Sequence, residues 1–159
     1  MYKISGTYCA SLTPFNADYS INKKLLLEHC NSLLTKNIDG IAIFGTTGEA
    51  NSLSIEEKLD AINFLIDNKI EPKKLLPGTG LNSIKDTVFF TKAVAKMKVR
   101  GVLVLPPFYY KNVNSEGLIS YYTRVVEEVG EKNLHYLYFY NSREVIPKHL
   151  LHLIWQQLL

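Results

Sequence analysis

The sequence predicts an α/β fold made of consecutive βα units around a parallel sheet, and three observations carry that prediction. Short apolar runs alternate repeatedly with windows whose apolar residues recur at helical spacing. Helix-start signals stand where the two patterns meet. No linker, low-complexity segment or shift in composition interrupts the series, so the 159 residues read as a single domain.

Five strand-like runs are expected, at residues 6–13, 40–44, 74–78, 101–105 and 134–140. Between the first two, Leu26, Cys30 and Leu33 fall on one helical face. The next helix is expected to bury Ile55, Leu59, Ile62 and Ile66, and Ser54 with Glu57 forms a capping box at its start. A third helix takes in Ile84 and Val88 and continues to Met97, with Ser83 or Asn82 as its cap. A fourth, capped by Ser115, presents Leu118, Tyr122, Val125 and Val129. A fifth is expected after Pro147, through Leu150, Ile154 and Leu158. A (β/α)8 barrel takes roughly 250 residues and eight strands. The residues alone therefore leave two architectures open, an open doubly wound sheet or a truncated barrel of about five βα units.

Composition excludes several function classes. Eighteen Lys and Arg against 15 Asp and Glu are scattered along amphipathic stretches, so neither a nucleic acid nor an anionic membrane is an expected partner. The opening Met1-Tyr2-Lys3-Ile4-Ser5-Gly6 lacks the layout of a signal peptide, and no apolar stretch reaches the ~18 residues of a membrane span, which predicts a cytoplasmic protein. Cys9 and Cys30 lack metal or redox spacing and read as small buried hydrophobes. His29, His135, His149 and His152 have no acidic or Cys partners at ligand spacing, so no metal site is expected.

The most informative segment is Gly45-Thr46-Thr47-Gly48-Glu49, where the apolar run Asp39-Gly40-Ile41-Ala42-Ile43-Phe44 gives way to a helical pattern. Two hydroxyls and several backbone N–H groups at a strand end make an anion cradle. Neither the dinucleotide fingerprint nor the P-loop is written here, and a small carboxylate fits better than a phosphate. Taken alone, Thr46 and Thr47 read more readily as an ordinary strand-to-helix turn with capping hydroxyls. Glu49 is expected to hold the loop or the helix start. Gly78 and Gly80 are expected to serve the backbone geometry of their own loop.

Two further motifs follow at successive strand ends: Leu76-Pro77-Gly78-Thr79-Gly80-Leu81-Asn82-Ser83, then Pro106-Pro107-Phe108-Tyr109-Tyr110-Lys111 running on through Ser115-Glu116-Gly117-Leu118. With Gly45-Thr46-Thr47-Gly48-Glu49 in the same order, the chain resembles the dihydrodipicolinate synthase / N-acetylneuraminate lyase family. The resemblance covers about the first 140 residues and corresponds to the amino-terminal part of that family's (β/α)8 barrel. It implies a cofactor-free lyase or synthase acting on pyruvate or a related 2-keto acid through a Schiff base to a lysine, in a homo-oligomer. It assigns Thr46 to a hydroxyl relay, Thr47 to the keto-acid carboxylate, and Tyr110 to the site of a neighbouring subunit. It also makes a tyrosine near the end of the fifth strand the proton shuttle.

Parity does not choose that tyrosine, because Tyr136, Tyr138 and Tyr140 share one face of a period-2 strand. Tyr140-Asn141 keeps the family's Tyr-Asn pair at the strand end. Tyr138 instead brings Ser142-Arg143 to the place where many synthases bind the second substrate's carboxylate. We prefer Tyr140, and Arg143 is either a carboxylate clamp or a solvated loop charge. The chain departs from the family in the short segment Asn141-Ser142-Arg143-Glu144-Val145-Ile146-Pro147 and in having no sixth strand-like run for the Schiff-base lysine, a place Lys148 does not fill. The 159 residues alone are therefore expected to be inactive. Two rivals are a non-catalytic half-barrel and an unrelated open α/β module that binds anions.

Overall fold

A computed structural model describes residues 6–130 and 137–139. The expected fifth helix lies outside the described residues, as do Tyr136, Tyr140 and Arg143. The described elements are β1 (Tyr8–Ala10), α1 (Lys23–Leu34), β2 (Gly40–Ala42), α2 (Ile55–Asp67), α3 (Ile84–Lys96), β3 (Val102–Val104), α4 (Ser115–Val129) and β4 (Leu137–Phe139), with 3-10 turns at Ala50–Ser52 and Pro72–Lys74.

β1 pairs in parallel with β2, Cys9 opposite Ile41, and β3 in parallel with β4, Leu103 opposite Tyr138. The run expected at 74–78 is not a continuous strand, for two reasons. Lys74 closes a 3-10 turn, in which the Leu75 N–H is taken by the Pro72 carbonyl at 2.9 Å. Pro77 brings no N–H to the ladder. The segment nevertheless stitches the two pairs together. Leu76 and Gly78 donate to the Ile41 and Ile43 carbonyls at 2.9 and 2.8 Å, while Thr79 donates to Leu103 and Leu103 to Pro77, both at 2.8 Å. Alternate residues face alternate neighbours, as a strand between two parallel partners requires.

The spatial order is therefore β1, β2, residues 75–79, β3, β4, the same as the chain order. A doubly wound sheet reverses direction at a switch point and places its first strand inside. A strand order that advances without reversal is that of a barrel wall. This decides between the two architectures that the residues left open.

Caps and packing mostly follow the expected pattern. Ser54 and Glu57 exchange both bonds of the capping box, and Ser83, not Asn82, caps α3. The cap of α4 is Asn114, whose side chain accepts from Gly117 N–H at 2.8 Å, so Ser115 is the first helical residue and not the cap. The buried stripe of α2 is Lys58, Ala61, Ile62 and Leu65, shifted from the expected Ile55, Leu59 and Ile66, which are only partly buried. Ile84 is exposed because α3 turns Thr87, Val88, Phe90, Thr91 and Val94 inward instead. Ile41, Ile43, Leu75, Val102 and Val104 from the sheet complete the core with Leu26, Leu118, Tyr122 and Val125. Cys9 is only half-buried and not a core residue, because it lies on the short β1.

Cys30 is fully buried, and burial pushes its thiol up to about 12. A raised folded pKa means that the neutral thiol stabilises the fold below the unfolded value near ~8.5, a contribution lost as pH climbs from there towards the folded value. Relative to Cys30→Ala, the wild type should lose up to about 1.4 kcal/mol of unfolding free energy per pH unit above roughly pH 9. Urea melts of the two proteins between pH 8 and 10 check this, and parallel pH profiles would refute it.

Candidate functional site

Because the paired strands run the same way, the residues following β2, segment 75–79 and β3 emerge at one face. The Gly45-Thr46-Thr47-Gly48-Glu49 turn is tightly folded there. Gly48 N–H donates to the Gly45 carbonyl at 3.1 Å, Glu49 to Thr46 at 3.1 Å, and Ala50 to Gly45 at 3.3 Å. Those bonds consume the N–H groups of the second half of the turn. The Thr46 and Thr47 N–H groups have no acceptor among the described residues, and both side chains are exposed. The cradle is thus narrower than its sequence suggests, two N–H groups and two hydroxyls.

Its entry and exit are both forced. Phe44 is buried yet has φ 55°, and Glu49 has φ 53°. Left-handed backbone at a bulky L-residue costs about 1–2 kcal/mol and persists where the surroundings impose it. For Phe44 those surroundings include Gly78, since a Cβ there would overlap the Phe44 carbonyl. Gly78 and Gly80 therefore serve close approach, not unusual dihedrals: a Cβ on Gly80 would meet the Leu105 backbone, and neither glycine has a positive φ. From the β1 side the buried Thr13 hydroxyl donates to the Gly48 carbonyl at 2.7 Å. The Glu49 side chain makes no capping bond, so its hold on the loop is through the backbone alone.

The next strand end is held by hydroxyls. Tyr121 donates to the Leu81 carbonyl at 2.9 Å, its oxygen lies 2.9 Å from the Thr87 hydroxyl, and Thr87 accepts from Leu81 N–H at 3.0 Å. Burial raises the pKa of Tyr121 and of Tyr122, and the Tyr121 hydroxyl, held by Leu81 and Thr87, is a fixed support of this strand end. Asn82 passes the order onward, its side-chain oxygen accepting from Tyr109 N–H at 3.0 Å. Tyr109 and Tyr110 stack edge to face at 5.7 Å and are exposed, as is Lys111.

Thr46 and Thr47 follow β2 and Tyr110 follows β3, at the carboxyl-terminal end of the parallel strands, while Tyr140 and Arg143 lie outside the described residues. The sequence reading does not single out Thr13, Asn82, Thr87 or Tyr121 as supports of the site, nor Lys58. Of these only Lys58 carries a readable signal, a charged residue on a helical stripe with Ile62 and Leu65. Among the described residues no group of three or more His, Cys, Asp or Glu is placed to hold a metal, and no helix is long and apolar enough to cross a membrane. His29 is half-buried on α1.

The model of the dihydrodipicolinate synthetase family matches residues 3–145. A 4-hydroxy-tetrahydrodipicolinate synthase from Endomicrobium trichonymphae is 32% identical over 125 residues, which is 79% of this chain and 42% of that protein. The crystal structure of dihydrodipicolinate synthase from Agrobacterium tumefaciens superimposes with a TM-score of 0.82 at 28% identity, over 87% of this chain and 48% of that one. A 2-keto-3-deoxygluconate aldolase variant from Sulfolobus solfataricus, determined as a pyruvate complex, gives 0.80 at 28% identity, over 92% and 50% respectively. The chain spans about half the length of each of these proteins.

Proposed function

Because the chain belongs to the dihydrodipicolinate synthetase family, we propose that its strand-end face is the carboxylate-holding part of a lyase or synthase site for pyruvate or a related 2-keto acid. The observation that carries this reading is the Thr46-Thr47 turn, with its N–H groups and side chains open at the carboxyl ends of the strands. An oriented pair of N–H donors with a hydroxyl beside it suits a carboxylate, which accepts at both oxygens. Held there, a keto acid presents its carbonyl carbon to an amine. The resemblance assigns that amine to a lysine on a sixth strand.

Thr47 holds the carboxylate and Thr46 passes a proton. As the amine adds to the keto carbon, the carbonyl oxygen must gain a proton, and a tyrosine wired through the Thr46 hydroxyl delivers it without a charged base. Tyr140 is that tyrosine. Tyr110 completes the relay in a neighbouring copy, which makes the active assembly a homo-oligomer, and its exposure beside Tyr109 suits a contact between chains. With Tyr140 in that role Arg143 is a solvated loop charge, and only the alternative register, with Tyr138 as the shuttle, brings it to the second substrate's carboxylate.

Titration of the 159-residue chain with pyruvate, followed by the amide shifts of Thr46 and Thr47, tests the reading. Saturable binding is expected, and Thr47→Val should weaken it about tenfold, as loss of a hydrogen bond to a charged group would. Inorganic phosphate that binds while pyruvate does not would overturn the proposal in favour of a phosphate-binding module.

A further inference from the structure

Lys58 is the one buried charged side chain among the described residues, 1% exposed. It stands on the inward stripe of α2 with Ala61, Ile62 and Leu65. Its ammonium lies 5.1 Å from the centroid of the Phe90 ring on α3 and donates to the Ala50 carbonyl at 3.3 Å. No carboxylate comes within ion-pair distance of it among the described residues.

A buried cation without a partner carboxylate has lost its hydration, and the ring face and a single carbonyl return only part of it. Burial accordingly draws the Lys58 pKa below the ordinary lysine value, with the adjacent Glu57 carboxylate pushing the other way. An apolar residue would fill the stripe without that cost. What the charge adds over an apolar side chain is its grip on Ala50.

Ala50 closes the cradle. Its N–H bonds back to Gly45, and between the two lie Thr46, Thr47, Gly48 and the left-handed Glu49. We propose that Lys58 is a positioning residue for the anion cradle: from the helix behind the loop, its ammonium fixes the Ala50 carbonyl and so holds the Thr46 and Thr47 N–H groups in one orientation. The same charge, in a poorly screened interior, adds positive potential behind a loop that binds an anion. The inference rests on the carboxylate reading for its ligand and on the fold alone for its geometry.

The test compares the full 159-residue chain with Lys58→Met and Lys58→Arg, in two measurements. Amide exchange without ligand should show the Glu49 and Ala50 N–H groups losing protection about tenfold in K58M, in proportion to a charge-assisted bond, with α2 and α3 amides unchanged and K58R close to wild type. Pyruvate affinity should fall about tenfold in K58M and be retained in K58R. Unchanged loop protection in K58M overturns the proposal. So does loss of protection throughout α2, or a K58M chain that fails to fold, because the lysine would then hold the core and not the loop. If wild type binds no pyruvate, the functional reading fails, and the ligand-free exchange result still decides the role of Lys58.

Discussion

Replacing Gly78 with alanine is expected to cost about 3 kcal/mol, at the upper end of what overpacking does, and to displace the anion cradle as it does so. The added Cβ would overlap the Phe44 carbonyl oxygen, which is backbone and has no rotamer to change. Phe44 is already in the left-handed region with its ring buried, so its peptide has little freedom to yield. The movement must pass either to the sheet, breaking the Gly78 N–H bond to Ile43, or to the Gly45 turn that follows. Gly45→Ala is the control, because a Cβ there meets nothing within 4 Å. Urea denaturation should separate the two variants clearly. A Gly78→Ala protein within about 0.5 kcal/mol of wild type would show that the approach of Phe44 to Gly78 is not a close one.

Legibility in the sequence follows physical range. Elements governed by their own periodicity and caps are readable: the Ser54–Glu57 box, the Cys30 and Val125 stripes, and the apolar runs that contain β1, β2, β3 and β4 all sit where the pattern puts them. The 74–78 run is readable as a strand in its pairing but not in its continuity, because Pro77 removes a donor that only its place between two neighbours makes important. Strand order is not readable from the local pattern, which an unreversed sheet and a doubly wound one share; only the resemblance of the three strand-end motifs predicts the barrel. At the site, Thr46 and Thr47 are visible through the glycines around them. Their supports are not: Thr13 reaches Gly48 across 35 residues and Tyr121 reaches Leu81 across 40, contacts that no local window contains. Lys58 is hidden for a different reason. Charge normally marks a solvated face, and here a carbonyl and a ring take the place of water.

The largest kinetic effect is expected at Tyr140. With the rest of the family barrel supplied, including its lysine-bearing sixth strand, Tyr140→Phe should lower turnover by roughly two to four orders of magnitude, the range for losing a positioned proton carrier. Tyr138→Phe should do much less. β4 is described over Leu137–Phe139, with Tyr138 in register with Leu103 at the middle of β3. In a barrel of this kind the reacting groups sit at and beyond the carboxyl ends of the strands, a place that the sequence reading gives to residue 140 and not to residue 138. The hydroxyl is the only group lost in either substitution, so packing changes little and the difference between the two variants reports on proton transfer. Steady-state rates of both, with borohydride trapping of the imine to separate its formation from later steps, provide the measurement. Should the losses come out reversed, Tyr138 is the shuttle, and Ser142-Arg143 moves to the position that takes the second substrate's carboxylate.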